Sequence, residues 1–290
     1  MAAIRNARKD DLPDILEISK SVWGGHDYLP RQINDWLKDT NCHTFGIEVD
    51  GKLIAIANLR VIDDGKTAWF EGLRVHPEHR GQGYANSLTD HLVKVSHDLG
   101  VERIRYTTAS DNVESLALAN RIGLEKILEM YVFWKGDLSE LNWSYSEKEV
   151  LQASPRHVQE LLEENISDFL HPVIIHDWKA WEFTEQYLQN IDHKCCYYLS
   201  WRKERVSGLS VGGIRKEADN DQWSFTIYAT DEEAFLSHLS YHLDLACDQQ
   251  FDAVMCIAET GFQTIIEGLP WFTEDIHGTR IILFDKEFSQ

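Results

Sequence analysis

The sequence predicts a mixed α/β protein built as two halves of similar layout. Three observations predict it. Asp50-Gly51 and Asp64-Gly65 each separate apolar runs, which is how an antiparallel meander is written. After Val75 the pattern becomes a glycine-rich bend and a helix, and the strand, helix and strand that follow from Val101 to Trp134 imply a parallel crossover. From about residue 158 the order helix, three strands, helix, strand, strand returns, as a likeness of layout without a residue-level repeat.

The elements follow in order. The first 40 residues read as two helices. Asp10 or Asp11 caps the first, Pro13 is tolerated in its first turn, and Leu12, Ile15, Leu16 and Val22 follow at helical spacing. Gly24-Gly25 breaks that pattern, and a second short helix begins near Pro30 with Ile33, Trp36 and Leu37 on one face. Strands are expected at Thr44–Val49, Lys52–Ile62 and Thr67–Val75. Gly81 and Gly83 open a helix that runs to about Leu99, with Leu88, Leu92 and Val95 inside, and Gly100 ends it. Val101–Thr108 is the next strand, Asn112–Ile122 a helix closed by Gly123, and Ile127–Trp134 a strand. The polar stretch Lys135–Lys148 reads as a link. Beyond it, helices are expected at Val158–Leu170 and Asp231–Cys247. Strands are expected at Cys196–Trp201, Val206–Gly212, Gln222–Ala229, Ala253–Ala258 and Thr279–Phe284.

Composition narrows the function classes. A chain of 290 residues suits two domains of ordinary size. With 43% hydrophobic and 26% charged residues it is neither disordered nor fibrous. The net charge of −20 argues against a general binder of nucleic acid or anionic membrane. The acid is uneven. Residues 1–145 carry 17 Lys and Arg against 22 Asp and Glu, and the remainder 11 against 26, so an anionic ligand is expected in the first half. Five cysteines, an odd count with no CxxC, favour reduced thiols over a disulfide framework or zinc ribbon. No apolar run is long enough to span a bilayer and no signal-peptide pattern stands at the N-terminus, so a cytoplasmic location is expected.

The chemistry is concentrated in Glu71-Gly-Leu-Arg-Val-His-Pro-Glu-His-Arg-Gly-Gln-Gly-Tyr-Ala85. A strand, a glycine-rich turn and a helix N-terminus make a phosphate cradle: backbone N–H groups turn inward and the helix end adds partial positive charge. Gly81 and Gly83 let the backbone approach an anion without a Cβ in the way. Walker A is absent, and the preceding strand belongs to a meander, so this is not a dinucleotide-binding GxGxxG unit either. His76 and His79 read as local positive potential or solvated groups in preference to a metal pair. His238-x-x-x-His242 lacks the Glu of HExxH. No metal is expected.

The spacing Arg80-x-x-Gly83-x-Ala85 resembles the pyrophosphate motif of the GCN5-related N-acetyltransferase (GNAT) superfamily. Leu73-Arg-Val-His-Pro before it, Asn112 at the next helix and Arg121-Ile-Gly-Leu124 after it fit the same pattern, over about residues 3–135. The chain is most similar to the histidine N-acetyltransferase group within that superfamily. The shared residues are Gly24-Gly25-x-Asp27-Tyr28-Leu29-Pro30, Trp36-Leu37-x-Asp39, Val61-Ile62-Asp63, Gly65 and Glu71-Gly72-Leu73-Arg74-Val75.

The resemblance implies a GNAT fold and catalytic domain at 1–137. It also implies a degenerate GNAT-like domain at 146–290 that lacks the cofactor motif and closes the acceptor pocket. The reaction it implies is transfer of acetyl from acetyl-CoA to the α-amine of a free amino acid, histidine first. Another small amine, a protein N-terminus, or a regulatory protein that binds acetyl-CoA without turnover are the alternatives. In this reading Glu71 is the base or an ion-pair partner of the ammonium. Leu73, Arg74 and Val75 line the pantetheine arm, and Arg80, Gly81, Gln82, Gly83, Tyr84, Ala85 and Asn86 hold the pyrophosphate. Asn112 bonds the arm. Arg74 holds the substrate carboxylate or a cofactor phosphate, or is a surface residue. Asp27, Tyr28 and Tyr106 are assigned to the acceptor, with capping by Asp27 and aromatic packing by Tyr28 as the plainer alternative. Trp23, Trp36 and Trp69 are core or pocket wall. The family's tyrosine acid aligns with Ala119, so the proton donor is missing or supplied elsewhere, with Tyr131, Ser115 and a water all open. In the second half Asp231-Glu-Glu stands where a cradle would be, which suits a helix dipole and repels a pyrophosphate.

Overall fold

The computed structural model describes residues 2–138, 141, 149–163, 173–183, 195–217 and 221–288, with the side chains of 161 and 162 left aside. Most of the expected link, at 139–140 and 142–148, and the end of the expected helix, at 164–170, lie outside the described residues. The chain divides into two units that interleave in sequence. One holds Met1–Tyr106, Val113–Lys126 and Phe284–Gln290; the other holds Thr107–Asn112 and Ile127–Leu283.

In the first unit, β1 (Ala3–Asn6), β2 (Cys42–Val49), β3 (Lys52–Ile62) and β4 (Thr67–Val75) form the antiparallel meander that the Asp-Gly turns specify. Asp50 and Gly51 both take positive φ, as do Asp63, Asp64 and Gly65. β1 is an addition to the two helices expected there: Ala3-Ile-Arg-Asn is too short to show alternation, and its pairing with β2 decides its state. α1 (Leu12–Ser19) and α2 (Leu29–Trp36) cover one face of the sheet with Ile15, Leu29, Ile33 and Trp36 against Leu53 and Ile56. Asp11 does not cap α1 with its side chain. Arg5 forks onto it at 2.7 Å and the Arg8 N–H bonds it at 2.7 Å, a stronger use for a buried carboxylate.

α3 (Tyr84–Leu99) crosses over to β5 (Arg103–Ala109), which runs parallel to β4. The parallel crossover of this unit is therefore the one through α3. α4 (Val113–Ile122) follows, and β6 (Glu125–Gly136) leaves for the second unit from Ile127 onward. The last residues of the chain return to the first unit. Arg105, buried, pairs with both Asp285 and Asp63; Arg103 pairs with Glu287 at 2.7 Å; and Lys286 Nζ donates to the Ile122 carbonyl at 2.7 Å. Those to Asp285, Lys286 and Glu287 are charge-assisted contacts between residues 164 to 184 positions apart, and no local pattern announces them.

The second unit is built around β10 (Cys195–Arg202), β11 (Arg205–Arg215), β12 (Gln222–Ala229) and β13 (Ala253–Glu259), with β6 antiparallel to β13. β7 (Leu151–Ala153) pairs with β10. A separate hairpin of β8 (Val173–His176) and β9 (Lys179–Glu182) adds two short strands that the sequence did not announce. α5 (Pro155–Glu163), α6 (Glu232–Asp248) and the short α7 (Gln263–Glu267) complete it before β14 (Gly278–Glu287), whose end from Phe284 belongs to the first unit. Phe235, Leu239 and Leu243 of α6 pack on Trp223, Phe225 and Ile227. All five cysteines are free thiols. No helix among the described residues is long and apolar enough to cross a membrane.

A directed hydrogen-bond chain crosses this second core. Trp223 Nε1–H, a donor only, meets His242 Nδ1 at 3.1 Å, so neutral His242 carries its proton on Nε2. That N–H donates to Ser210 Oγ at 2.8 Å; Ser210 donates to His238 Nδ1 at 2.7 Å; and His238 Nε2–H donates to Ser200 Oγ at 3.1 Å. The histidine pair is thus a satisfied core network.

Burial, with His238 and His176 nearby, holds His242 well below the ordinary value of 6.5. The unfolded chain takes up this proton near pH 6.5 and the folded unit does not. Stability should therefore fall below that pH at about 1.4 kcal/mol per unit. Urea midpoints at pH 7 and pH 5 should show the loss, and His242→Gln should flatten the slope whatever it does to the midpoint.

Candidate active site

The site begins with a bulge. β3 and β4 pair with Ile56 opposite Arg74 and Asn58 opposite Glu71, so one β3 residue, Ala57, faces two on β4, Gly72 and Leu73. An unbroken strand would put residues 71 and 74 on opposite faces. The extra residue puts them on the same face, as Asn58 and Ile56 are. Gly72 has φ +69°, and a Cβ there would overlap the Trp36 indole, whose Cζ3 would lie 2.7 Å away. Only glycine satisfies both demands.

Glu71 is 7% exposed in its side chain and stands in a polar network. Asn58 Nδ2 donates to Glu71 Oε1 at 2.9 Å and Arg60 Nε donates to the same oxygen at 3.2 Å. Arg60 Nη1 reaches Asp39 Oδ2 at 2.5 Å, and Asn58 Oδ1 accepts from Thr44 at 2.8 Å. Burial works against the Arg60 charge, yet Glu71 and Asp39 outweigh it and hold the guanidinium above its ordinary value. Burial likewise raises the Cys42 thiol beside this network, so it stays protonated.

Arg74 is forked onto Asp27: Nη2 to Oδ1 at 3.0 Å and Nε to Oδ2 at 3.1 Å, with Nη1 donating to the Leu73 carbonyl at 3.0 Å. Asp27 Oδ1 also accepts the Leu29 N–H at 3.2 Å and so starts α2. The guanidinium lies 4.7 Å from the Trp23 ring and 5.3 Å from the Tyr28 ring. Burial, opposed by Arg74, lifts the Tyr28 hydroxyl to about 12. Asp27, Tyr28, Glu71 and Arg74 are thus brought together, with Arg74 paired to Asp27 and well removed from solvent. Trp36 and Trp69 are core, whereas Trp23 is 60% exposed.

Beside this cluster the sheet opens. β4 and β5 pair only at Thr67–Trp69 with Arg103–Arg105. His76 N–H bonds the Ile54 carbonyl on the β3 side, so alternation turns the Val75 peptide toward the opening. Arg80 Nε reaches the Val75 carbonyl at 3.3 Å. α3 then starts at Gly83, φ +83°, with no side-chain cap, and its first N–H groups have no intrahelical acceptor. Gly81, Gln82 and Gly83 are exposed, and added Cβ atoms at the two glycines would meet nothing within 4 Å. Tyr84 and Ala85 are half-buried, and the Asn86 carbonyl accepts from Arg121 at 3.2 Å. His76 Nδ1 accepts the Glu78 N–H at 3.3 Å, a local cap.

The second unit differs at each point. β12 and β13 stay paired over five residues, Trp223–Ile227 with Val254–Ala258. Asp231 caps α6 by accepting the Ala234 N–H at 2.9 Å, which fills the place an anion would take.

Tyr106 donates to the Ser115 carbonyl at 2.7 Å and stacks on Phe284 at 5.6 Å. Ala119 is fully buried in α4. Tyr131 lies in the second unit, bonded to Glu267 at 3.1 Å, and Asn112 lies there too, its N–H on the Ala109 carbonyl. Sequence reasoning passed over Asn58 and Arg60. Two polar residues at i and i+2 in an otherwise apolar strand were the signal. It also left Trp23 without a distinct place.

Gly72→Ala should destabilise the first unit by about 2–4 kcal/mol, from the left-handed backbone and the clash with a buried indole. Urea unfolding checks this, and a neutral result would refute the packing account.

Residues 2–124 match the acetyltransferase (GNAT) family, and residues 146–258 match the histidine N-acetyltransferase C-terminal family. Histidine N-acetyltransferase of Oreochromis niloticus is 44% identical over 82 residues, 28% of this chain and 24% of that protein, so the match spans about a quarter of the relative's length. A GCN5-related N-acetyltransferase from Sphaerobacter thermophilus superposes with a TM-score of 0.61 at 14% identity, over 99% of this chain and 95% of that one. The tandem GNAT protein of the clavulanic acid biosynthesis pathway does so with 0.62 at 11%, over 99% and 98%. At those identities the likeness is one of fold. Residues 2–124 thus carry an acetyltransferase (GNAT) segment, and residues 146–258 a segment of the histidine N-acetyltransferase C-terminal kind.

Proposed function

We propose that this protein is an acetyl-CoA-dependent N-acetyltransferase whose acceptor is the α-amine of a free amino acid, histidine first. One observation carries the reading. An uncapped helix N-terminus stands beside an unzipped parallel strand pair, with a carboxylate and a guanidinium on one face of the adjoining strand. The first feature suits a diphosphate, the second an amide-bearing arm, the third a zwitterion. The matches to histidine N-acetyltransferases over part of their length support this acceptor.

The residues present fit the cofactor. The N–H groups at Gly83–Asn86 and the Arg80 side chain would hold the diphosphate of acetyl-CoA, and the edge at Leu73–Val75 would take its pantetheine amides as an added strand. Acetyl-CoA supplies an activated acyl carbon. Glu71 accepts a proton from the acceptor ammonium, directly or through a water, because only the neutral amine attacks. Its nitrogen bonds the thioester carbon, and the Val75 N–H, turned toward the opening, steadies the oxygen that gains charge. The C–S bond would then break with the sulfur leaving as thiolate, and the proton still on the nitrogen would pass through water to that thiolate, which agrees with Ala119 standing where the family has a tyrosine acid. Asn58 and Arg60 hold Glu71 in place.

The same Ala119 favours a second reading, binding of acetyl-CoA without turnover. Thiol release from acetyl-CoA with a panel of free amino acids separates the two: turnover with histidine supports the first, and tight acetyl-CoA binding without released thiol supports the second. Glu71→Gln should lower kcat about a hundredfold, most at low pH, with cofactor affinity nearly intact. An unchanged pH–rate profile would remove Glu71 as the base. Gly83→Trp should abolish acetyl-CoA binding by calorimetry while the far-UV spectrum stays that of a folded chain. Full affinity in that variant would discredit the cradle.

A further inference from the structure

Trp23 is held in a way its own packing does not explain. Trp23, Gly24 and Gly25 take φ of +46°, +65° and +95° in succession. A bulky residue in the left-handed region is disfavoured and persists where surrounding structure or function demands it. Yet Trp23 is 60% exposed, so burial does not repay the conformation. What it does touch is the acceptor cluster: Arg74 at 4.7 Å from its ring and Tyr28 at 6.1 Å, with planes inclined by 31°. Arg74 does not need the indole for its charge, because Asp27 already binds it at two points. The indole therefore lies over Arg74 and beside Tyr28, and much of its surface remains open.

The charges next to it are ordered. Arg74 and Glu71 sit opposite Ile56 and Asn58, alternate residues of β3, and so lie on one face with their backbones roughly 7 Å apart. An α-amino acid matches this with its carboxylate toward Arg74 and its amine toward Glu71. Its side chain then lies within reach of the Trp23 ring beside Arg74.

We propose that Trp23 is the specificity-determining residue of the acceptor site, stacking its indole on the planar side-chain ring of an α-amino acid whose carboxylate meets Arg74. This rests on the N-acetyltransferase reading and names what its acceptor must carry: a flat ring one methylene from the α-carbon. Offset stacking on an exposed indole gives discrimination of about tenfold. Aliphatic amino acids share the charged contacts and lack the ring.

The test uses the full chain and two variants, Trp23→Ala and Trp23→Phe, with acetyl-CoA saturating. Thiol release is measured for L-histidine, L-phenylalanine and L-alanine. Trp23→Ala should raise KM for the ring-bearing acceptors about tenfold. It should leave KM for alanine within about twofold and kcat little changed, and Trp23→Phe should recover most of the preference. An equal loss for all three acceptors, or none, would overturn the proposal. A second readout stands apart from turnover. L-histidine should quench part of the intrinsic tryptophan fluorescence, and Trp23→Phe should lose that part while still binding acetyl-CoA. If no acceptor is turned over but the Trp23-dependent quench is present, the catalytic reading fails and the stacking site stands. If histidine is turned over and Trp23→Phe quenches as the unaltered chain does, the stacking site fails and the catalytic reading stands.

Discussion

The site depends on one residue inserted in one strand. Because Gly72 and Leu73 together oppose Ala57, Glu71 and Arg74 face the same way, and Trp36 fills the space a side chain at 72 would take. Strain, packing and chemistry meet there. The left-handed glycine is tolerated because an indole beneath it is buried, and the indole is buried because α2 is anchored by Asp27, which in turn holds Arg74. A register without the bulge would send the carboxylate or the guanidinium to the other face of the sheet.

The two units show how one layout leaves a helix N-terminus bare or caps it. Each has a parallel strand pair joined through a helix. In the first, the pair opens after three residues and the helix starts at a bare glycine. In the second, the pair stays closed over five and an aspartate satisfies the first-turn amides. A cap of this kind is worth about 1 kcal/mol to the helix, and a carboxylate in that place disfavours a negatively charged ligand. The opened unit forgoes that stability and keeps its amides available.

Much of this was legible in the sequence. β3, β4 and β12 fall at the expected residues, because Asp-Gly turns and long apolar runs fix strands locally. The bare glycine start of α3 was legible because glycine spacing at a helix start has a direct backbone meaning. What escaped notice is non-local. The return of residues 284–288 to the first unit rests on Arg105 meeting Asp285 and Asp63, a contact no window contains. β1 and the β8–β9 hairpin are too short for periodicity to speak. Arg60 looked like one polar residue in an apolar strand until Asp39 and Glu71 stood on either side of it. The place of His238 and His242 in a hydrogen-bond chain between Trp223 and Ser200 needed the register of three strands.

The most direct measurement is a crystal structure with coenzyme A and L-histidine bound. The account predicts the diphosphate within hydrogen-bonding distance of the amides at Gly83–Asn86, the pantetheine arm along Leu73–Val75, and the histidine amine turned toward Glu71. Coenzyme A lodged away from that bend, or an acceptor amine remote from Glu71, would contradict it.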